Sequence, residues 1–177
     1  GKARVSIVNG SLTLPLGLDE PRIALDDASA QIAWQHKGDD VAVQFTQGHV
    51  ANADVAGEFN GNWKTGEAKA RLPGVLDLTA TLSRANVAHV HRYLPNTLPA
   101  SVRSYVRESV QAGDASHVTM RLRGNLSHMP FDNPKLGEFR IVAQVAQGKY
   151  AYVPPEPSKP KTVAAPAWPA LTDVNGE

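Results

Sequence analysis

Cysteine is absent from the chain, and aromatic residues make up only 6% of it. The absence of cysteine excludes a zinc–thiolate site, an iron–sulfur cluster and a cysteine nucleophile. Charge of one sign is also lacking, because 18 Lys and Arg face 17 Asp and Glu, for a formal net charge of +1. Proteins that bind nucleic acid carry a basic excess or stripe, so no nucleic-acid partner is predicted. No apolar run approaches the roughly 18 residues of a membrane-crossing helix.

The composition is that of a folded globular chain. Its 177 residues are 42% hydrophobic and 20% charged, which suits about one domain. The first residue is Gly1 rather than methionine, and residues 174–177 look like the opening of another strand. We therefore expect the chain to be a segment of a longer protein.

Alternation of apolar and polar residues dominates four stretches of the chain. A strand with this period of two has one apolar and one polar face, which is typical of an antiparallel sheet covered on one side. The sequence therefore predicts a mainly β, α+β fold built on antiparallel sheet. The larger apolar side chains of these stretches include eleven candidates for a binding face: Val43 and Phe45; Leu76, Leu78 and Leu82; Val118, Met120 and Leu122; and Phe139, Ile141 and Val145.

Weaker strand patterns flank these four stretches, at residues 4–14, 21–25, 30–35, 50–63, 67–72 and 149–153. Residues with turn chemistry separate the patterns, because Gly, Asn, Asp and Pro favour the dihedral angles that turns need. The predicted turns are Gly38-Asp39-Asp40, Gln47-Gly48, Gly61-Asn62, Pro73-Gly74, Asn133-Pro134 and Gln147-Gly148.

Residues 86–113 break the alternation and predict a helical pair. Asn86 is a suitable N-cap for a first short helix, and Pro99 suits the start of a second. Gly113 is the predicted end of the second helix. The sequence thus divides into β segments at 1–85 and 114–153, a proline-rich loop at 154–167, and the start of a further strand at 168–177. The apolar stripe of the second helix comprises Val102, Tyr105, Val106 and Val110.

Motifs for catalysis, metal binding or cofactor binding are not found. His89 and His91 are two residues apart in a predicted helix, whereas helical metal ligands prefer a spacing of four. The adjacent carboxylates Asp26-Asp27 and Asp39-Asp40 would point to opposite faces of a strand, which is unsuitable for an acid/base pair. No nucleophile elbow, P-loop or dinucleotide fingerprint occurs. We therefore expect no enzymatic activity, no metal and no cofactor.

The aliphatic stripes allow two interpretations from the residues alone. They form either an ordinary core packed on the helical pair or the open face of a curved sheet that binds a hydrophobic ligand. A third hypothesis is a carbohydrate-binding β domain that uses Trp34, Trp63 and Trp168 as stacking platforms.

The C-terminal half resembles the YhdP branch of the AsmA-like superfamily of Gram-negative bacteria. The resemblance begins at Tyr93-Leu94-Pro95 and Leu98-Pro99 and continues through the predicted second helix. It then follows the ordered set Leu122-Arg123-Gly124-Asn125-Leu126, Met129-Pro130-Phe131-Asp132, Gly137-Glu138-Phe139, Gly148-Lys149-Tyr150-Ala151-Tyr152 and Trp168-Pro169-Ala170-Leu171. The stretch 154–167 departs from the family pattern and is interpreted as a loop insertion.

The resemblance implies a long periplasmic protein tethered to the inner membrane by an N-terminal helix. Its body would be a repetitive β-sheet gutter that carries phospholipid between the inner and outer membranes. The eleven apolar positions above would line the groove, and Val102, Val106 and Val110 would form the apolar face of the helical pair. Phospholipid, the inner membrane and an outer-membrane or envelope protein are the implied partners. The alternative is a structural module of the envelope that carries no ligand.

Overall fold

A computed structural model describes residues 1–13, 18, 20–67, 72–94, 96, 98–153 and 169–177. Within these residues, eight strands form one antiparallel sheet whose strand order is the order of the chain. The strands are β1 (Lys2–Thr13), β2 (Arg22–Lys37), β3 (Asp40–Ala51), β4 (Val55–Lys64), β5 (Val75–Asn86), β6 (Val110–Asn125), β7 (Gly137–Tyr150) and β8 (Leu171–Gly176).

The sheet is open and curved, which confirms the predicted mainly β, antiparallel class. β1 and β8 are its edges, and every other strand pairs with its two neighbours in the chain. Little of the sheet is covered. Five apolar residues are buried in the described part of the chain: Leu25, Ala80, Ala115, Val118 and Ala151.

Several predicted turns lie inside strands, and these predictions are wrong. Gly61-Asn62 lies within β4. Residues 22–25 and 30–35, which were expected to form separate strands, belong to one continuous strand, β2. Gln47-Gly48 and Gln147-Gly148 form β-bulges in β3 and β7, where Gln47 and Gln147 have φ of 49° and 54°. A bulge adds one residue without reversing the chain, so its sequence resembles that of a turn.

The two glutamine bulges are stabilised in the same way. The backbone N–H of Gln47 donates to Oδ1 of Asn60 on β4 at 2.9 Å, and that of Gln147 donates to Oδ1 of Asn175 on β8 at 3.1 Å. Each bulge leaves a backbone donor out of the ladder. In both places an asparagine of the following strand satisfies it.

The turn between β2 and β3 follows the prediction. Lys37 pairs with Asp40, which leaves Gly38 and Asp39 as a two-residue loop. Gly38 has φ of 60°, and glycine is favoured at the first central position of a hairpin loop with positive φ there. We call this end of the sheet the hairpin end.

The helical region connects β5 to β6 at the opposite end of the sheet, the helix-bearing end. A 3₁₀ helix spans Val87–Tyr93, and α1 spans Ala100–Ser109. The side chain of Asn86 accepts a hydrogen bond from the backbone N–H of Ala88 at 3.1 Å, which confirms Asn86 as the N-cap.

The predicted end of the second helix is wrong. α1 ends at Ser109, and both Val110 and Gly113 belong to β6. The backbone N–H of Ala151 donates to the carbonyl of Ser109 at 2.8 Å, and Val110 pairs with Tyr150. Pairing with β7 thus outweighs the helical spacing of the valines, because sheet contacts override a weak local preference. Predictions for residues 68–71 and 154–168 lie outside the described residues.

Candidate functional site

One face of the sheet carries the predicted aliphatic stripes. Residues that pair directly in an antiparallel ladder point to the same side. Leu78 pairs with Gly61 and Leu122, Phe45 pairs with Gly61, and Leu122 pairs with Phe139. The register therefore places all eleven candidates on one side, which we call the apolar face: Val43, Phe45, Leu76, Leu78, Leu82, Val118, Met120, Leu122, Phe139, Ile141 and Val145.

The apolar face is open rather than closed. Of the eleven side chains only Val118 is buried, at 6% exposure, whereas Phe139 and Ile141 are 48% and 49% exposed. The other eight are half-buried. A face of this kind differs from an ordinary core, where the central side chains are excluded from water.

The opposite face of the same strands is polar. Thr81 pairs with Thr119, and both are exposed. The guanidinium of Arg121 binds the carboxylate of Asp77 on β5 with two nitrogens, at 2.5 and 3.1 Å, and also reaches Thr79 at 2.8 Å. The two faces of the sheet thus present opposite chemistry.

Glycines bring neighbouring strands of the apolar face close together. A Cβ on Gly61 would lie 2.7 Å from the carbonyl oxygen of Asp77 and 3.0 Å from Cδ1 of Leu78. A Cβ on Gly48 would lie 2.6 Å from the ring of Phe59. Strand glycines mark bends and close backbone approach, so they accompany the curvature of the sheet.

Aromatic rings cover the apolar face at the hairpin end. Gly124 and Gly137 pair there, and Phe131 lies over both, since a Cβ on Gly124 would be 2.8 Å from its ring. Nearby, Nε1 of Trp63 donates to the carbonyl of Pro73 at 2.9 Å. Rings over strand glycines fill the space that a missing side chain leaves.

The helical region meets the apolar face at the helix-bearing end. A Cβ on Gly113 would lie 3.5 Å from both Val145 and Val87, so the start of the 3₁₀ helix lies beside Val145. The proposed helical stripe is only partly formed. Val106 is half-buried, Val102 is 42% exposed, and Val110 belongs to β6 rather than to the helix.

A buried carboxylate fixes the 3₁₀ helix to the sheet. Asp54, in the β3–β4 connection, is 2% exposed. Its carboxylate lies 2.6 Å from Nδ1 of His89, and it accepts hydrogen bonds from Nη1 of Arg92 at 2.6 Å and the Tyr93 hydroxyl at 3.0 Å. Arg92 also binds Glu20 at 2.9 Å. We call Asp54, His89, Arg92 and Tyr93 the Asp54 cluster.

Asn52 supports the Asp54 cluster from the same connection. Its Oδ1 accepts the backbone N–H groups of Asp54 and Val55, at 2.9 and 2.8 Å. Its Nδ2 donates to the carbonyl of Ala24 at 3.0 Å and to the Tyr93 hydroxyl at 3.1 Å. One side chain thus joins β2, the β3–β4 connection and the 3₁₀ helix.

The surroundings of Asp54 favour its ionised form. Burial by itself would raise the pKa of Asp54, but hydrogen bonds from His89 and Tyr93 and the charges of Arg92 and His89 lower it below 3.8. Burial raises the pKa of Tyr93, which keeps that hydroxyl protonated as a donor. The hydrogen bond to Glu20 raises the pKa of Arg92.

The Asp54 cluster was not predicted from the sequence. Its members lie at residue 54 and at residues 89–93, and only the strand order brings these segments together. A signal was present in Asn52-Ala53-Asp54, because asparagine and aspartate favour turns whose side chains bind nearby backbone. The sequence did not indicate which residues would be buried there.

Metal and carbohydrate chemistry find no support in the described ranges. They contain no group of three His, Asp or Glu side chains arranged for a metal ion. His89 is engaged by Asp54, and His49 lies 3.3 Å from Asp27. Trp34 and Trp63 each pair with Val43, so they extend the apolar face and are not separate platforms. Trp168 lies outside the described residues.

The comparisons with known proteins agree with the motifs of the C-terminal half and extend to the whole chain. No curated protein and no solved structure matches it. None of the described helices is long and apolar enough to cross a membrane. A family model described as YhdP protein matches residues 1–177. The chain therefore belongs to the YhdP family, a branch of the AsmA-like superfamily.

Proposed function

We propose that this chain is a segment of a periplasmic lipid-transfer protein and that its apolar face carries the acyl chains of phospholipids. The parent protein would be tethered to the inner membrane and would pass phospholipid toward the outer membrane. An outer-membrane or envelope protein would receive it there. The role is non-catalytic, since sliding a lipid along a surface breaks no covalent bond.

One observation carries the proposal. The eleven aliphatic and aromatic side chains of the apolar face share one side of a continuous sheet, and ten of them are partly or largely exposed. Contiguous exposed apolar surface on a folded protein marks a binding site for an apolar partner. An acyl chain laid on this face would keep about 0.8 kcal/mol of burial for each methylene group.

The residue types of the apolar face suit movement along it. Aliphatic side chains bind a hydrocarbon chain without directional bonds, so neighbouring positions have similar affinity. The polar face, with Thr81, Thr119 and Arg121, stays hydrated on the other side of the sheet. A lipid would then be shielded from water without being held at one place.

Photo-crosslinking in cells tests the face directly. A photoreactive amino acid at Leu78 or Leu122 of the parent protein would report from the apolar face. Thr81 and Thr119 are the matched controls, because they pair directly between the same two strands on the opposite face. We expect lipid adducts at the leucine positions and none at the threonine positions.

Equal adducts at all four positions, or none at any, would contradict the proposal. A crosslink from the leucine positions to protein instead of lipid would favour the structural module. A loss of binding to soluble sugars on replacing Trp34 or Trp63 would favour the carbohydrate domain. Each outcome therefore points to a different class of function.

A further inference from the structure

Three tyrosines form a hydrogen-bonded group at the helix-bearing end of the sheet. The hydroxyl of Tyr105, on α1, lies 2.8 Å from the hydroxyl of Tyr150, at the end of β7. The same Tyr105 hydroxyl donates to the carbonyl of Tyr152 at 3.1 Å. The group joins the helix to the strand, and Tyr105 and Tyr152 are exposed.

Counting hydrogens assigns the direction of both bonds. A carbonyl only accepts, so the single hydroxyl hydrogen of Tyr105 is used by Tyr152. The bond between the two hydroxyls must then be donated by Tyr150. The pKa of Tyr150 is raised, first by its hydrogen bond to Tyr105, as expected when its hydroxyl is the donor. The hydroxyl hydrogens of Tyr105 and Tyr150 are therefore both donated, and the oxygen of Tyr150 has lone pairs that can accept a hydrogen bond.

The Tyr150 side chain belongs to the apolar side of the sheet. A Cβ on Gly148 would lie 3.5 Å from Cγ1 of Val145, so both positions face the same way. Tyr150 follows Gly148 by two residues, and side chains two apart on a strand share a face. The ring of Tyr150 thus extends the apolar face, and its hydroxyl places a polar group at the end of that face.

Among the described residues, the two ends of the apolar face differ in their polar groups. At the hairpin end, Phe131 covers the Gly124–Gly137 pair, and the indole N–H of Trp63 is used by a backbone carbonyl. At the helix-bearing end, the hydroxyl oxygen of Tyr150 keeps its lone pairs after its hydrogen is donated to Tyr105. Tyrosine, which like tryptophan has an apolar ring and a polar tip, is enriched where hydrocarbon meets water.

We propose that the Tyr105–Tyr150 pair binds the polar end of the lipid and selects headgroups that donate hydrogen bonds, through an ammonium N–H or a hydroxyl. This inference rests on the proposed function, because it deepens the role of the same face. Headgroups lie at the helix-bearing end and acyl chains extend toward Leu122 and Phe139. A headgroup without a donor, such as a trimethylammonium, satisfies neither lone pair of Tyr150.

Photoreactive phospholipids with identical acyl chains test the proposal on the full parent protein. The three probes carry an ethanolamine, a glycerol or a choline headgroup, with the photoreactive group in the chain. We expect about five-fold more adduct with a donor headgroup than with choline, which corresponds to one ordinary hydrogen bond. Preference for ethanolamine alone would identify the ammonium as the ligand. Equal preference for ethanolamine and glycerol would show that either an ammonium or a hydroxyl donor is sufficient. Both results support the proposal.

Tyr150→Phe removes the acceptor and keeps the ring. We expect it to abolish the preference while leaving the choline adduct unchanged. A preference that survives in Tyr150→Phe, or equal adducts for all three probes on the wild type, overturns the inference and leaves the proposed function standing. Failure of every probe to form adducts overturns both.

Discussion

The imidazole Nδ1 of His89 lies 2.6 Å from Oδ1 of Asp54, although 35 residues separate them in the chain. This contact joins the 3₁₀ helix to the β3–β4 connection at the helix-bearing end. Asp54 is also bound by Arg92 and Tyr93, so one carboxylate holds three side chains of the same short helix. The helix itself has no fully buried residue, so this polar contact is an important part of its attachment to the sheet.

Asp54→Ala should therefore destabilise the protein strongly. The change leaves the donors of His89, Arg92 and Tyr93 without their shared acceptor, and we expect a loss of about 2–4 kcal/mol in the free energy of unfolding. Urea denaturation measures it. Asp77→Ala is the control, because its pair with Arg121 is only half-buried on the polar face and should contribute less than about 1 kcal/mol. Equal losses in the two variants would contradict this account.

Acid should weaken the same attachment. The folded-state pKa of Asp54 is lowered below its ordinary value of 3.8. The ionised carboxylate therefore contributes fully to stability above pH 3.8, and this contribution is lost as the pH falls through the folded-state pKa. We expect the free energy of unfolding to decline from about pH 5 to about pH 2, and to decline less in Asp54→Asn. A parallel decline in both proteins would assign the acid sensitivity to other carboxylates.

Exposure of the apolar face predicts an unusual order of mutational effects. Val118→Ala removes a buried side chain and should cost about 1–2 kcal/mol, whereas Ile141→Ala removes more atoms from an exposed site and should cost less than about 1 kcal/mol. If the face were a closed core, the order would be reversed, because truncating isoleucine to alanine removes more buried apolar surface than truncating valine. Chemical denaturation of the two variants under identical conditions distinguishes an open face from a closed one.

Close approach of β4 and β5 should make Gly61 intolerant of a side chain. A Cβ there would lie 2.7 Å from the backbone oxygen of Asp77, so the strands must separate to admit it. We expect Gly61→Ala to cost roughly 1–3 kcal/mol, measured as a lower midpoint of thermal unfolding. Gly176→Ala is the matched strand glycine, because a Cβ there meets nothing within 4 Å. An unchanged midpoint in Gly61→Ala would show that the strands part freely.

A charge on the apolar face should block lipid without unfolding the chain. Leu122→Lys places an ammonium where an acyl chain would lie, and desolvating it is unfavourable. We expect lipid adducts from a photoreactive group at Leu78 to fall at least about ten-fold, which corresponds to roughly 1.4 kcal/mol. Thr81→Lys, on the polar face, should leave the adducts unchanged. Retention of adducts in Leu122→Lys would show that the chain passes elsewhere.

The strands of the sheet could be predicted where the alternation of apolar and polar residues is visible within a single segment of the sequence. Alternation placed Leu78, Leu122 and Phe139 on strands, and the observed register shows that they share a face. The bulge at Gln47 could not be distinguished from a turn, because both use a residue with positive φ followed by glycine. The spacing of Val110 predicts a helix, because its pairing with Tyr150 depends on a strand 40 residues later in the chain.

The candidate site was predictable only in its apolar part. Aliphatic positions on an amphipathic strand are readable from spacing. The Asp54 cluster and the Tyr105–Tyr150 pair depend on side chains brought together by the strand order, and no spacing rule reports such contacts. The openness of the apolar face was likewise undetermined, because the same stripe suits a covered and an uncovered sheet.

The sequential strand order has a consequence for how the sheet folds and evolves. Each strand pairs with the strands just before and after it in the chain, so most of its stabilising contacts are with its nearest neighbours. Chains of this kind nucleate at one hairpin and grow by accretion, and their stability is close to a sum over adjoining units. Inserting or deleting a hairpin would lengthen or shorten the surface while preserving every other ladder. Natural selection could therefore adjust the span of such a protein in hairpin-sized steps.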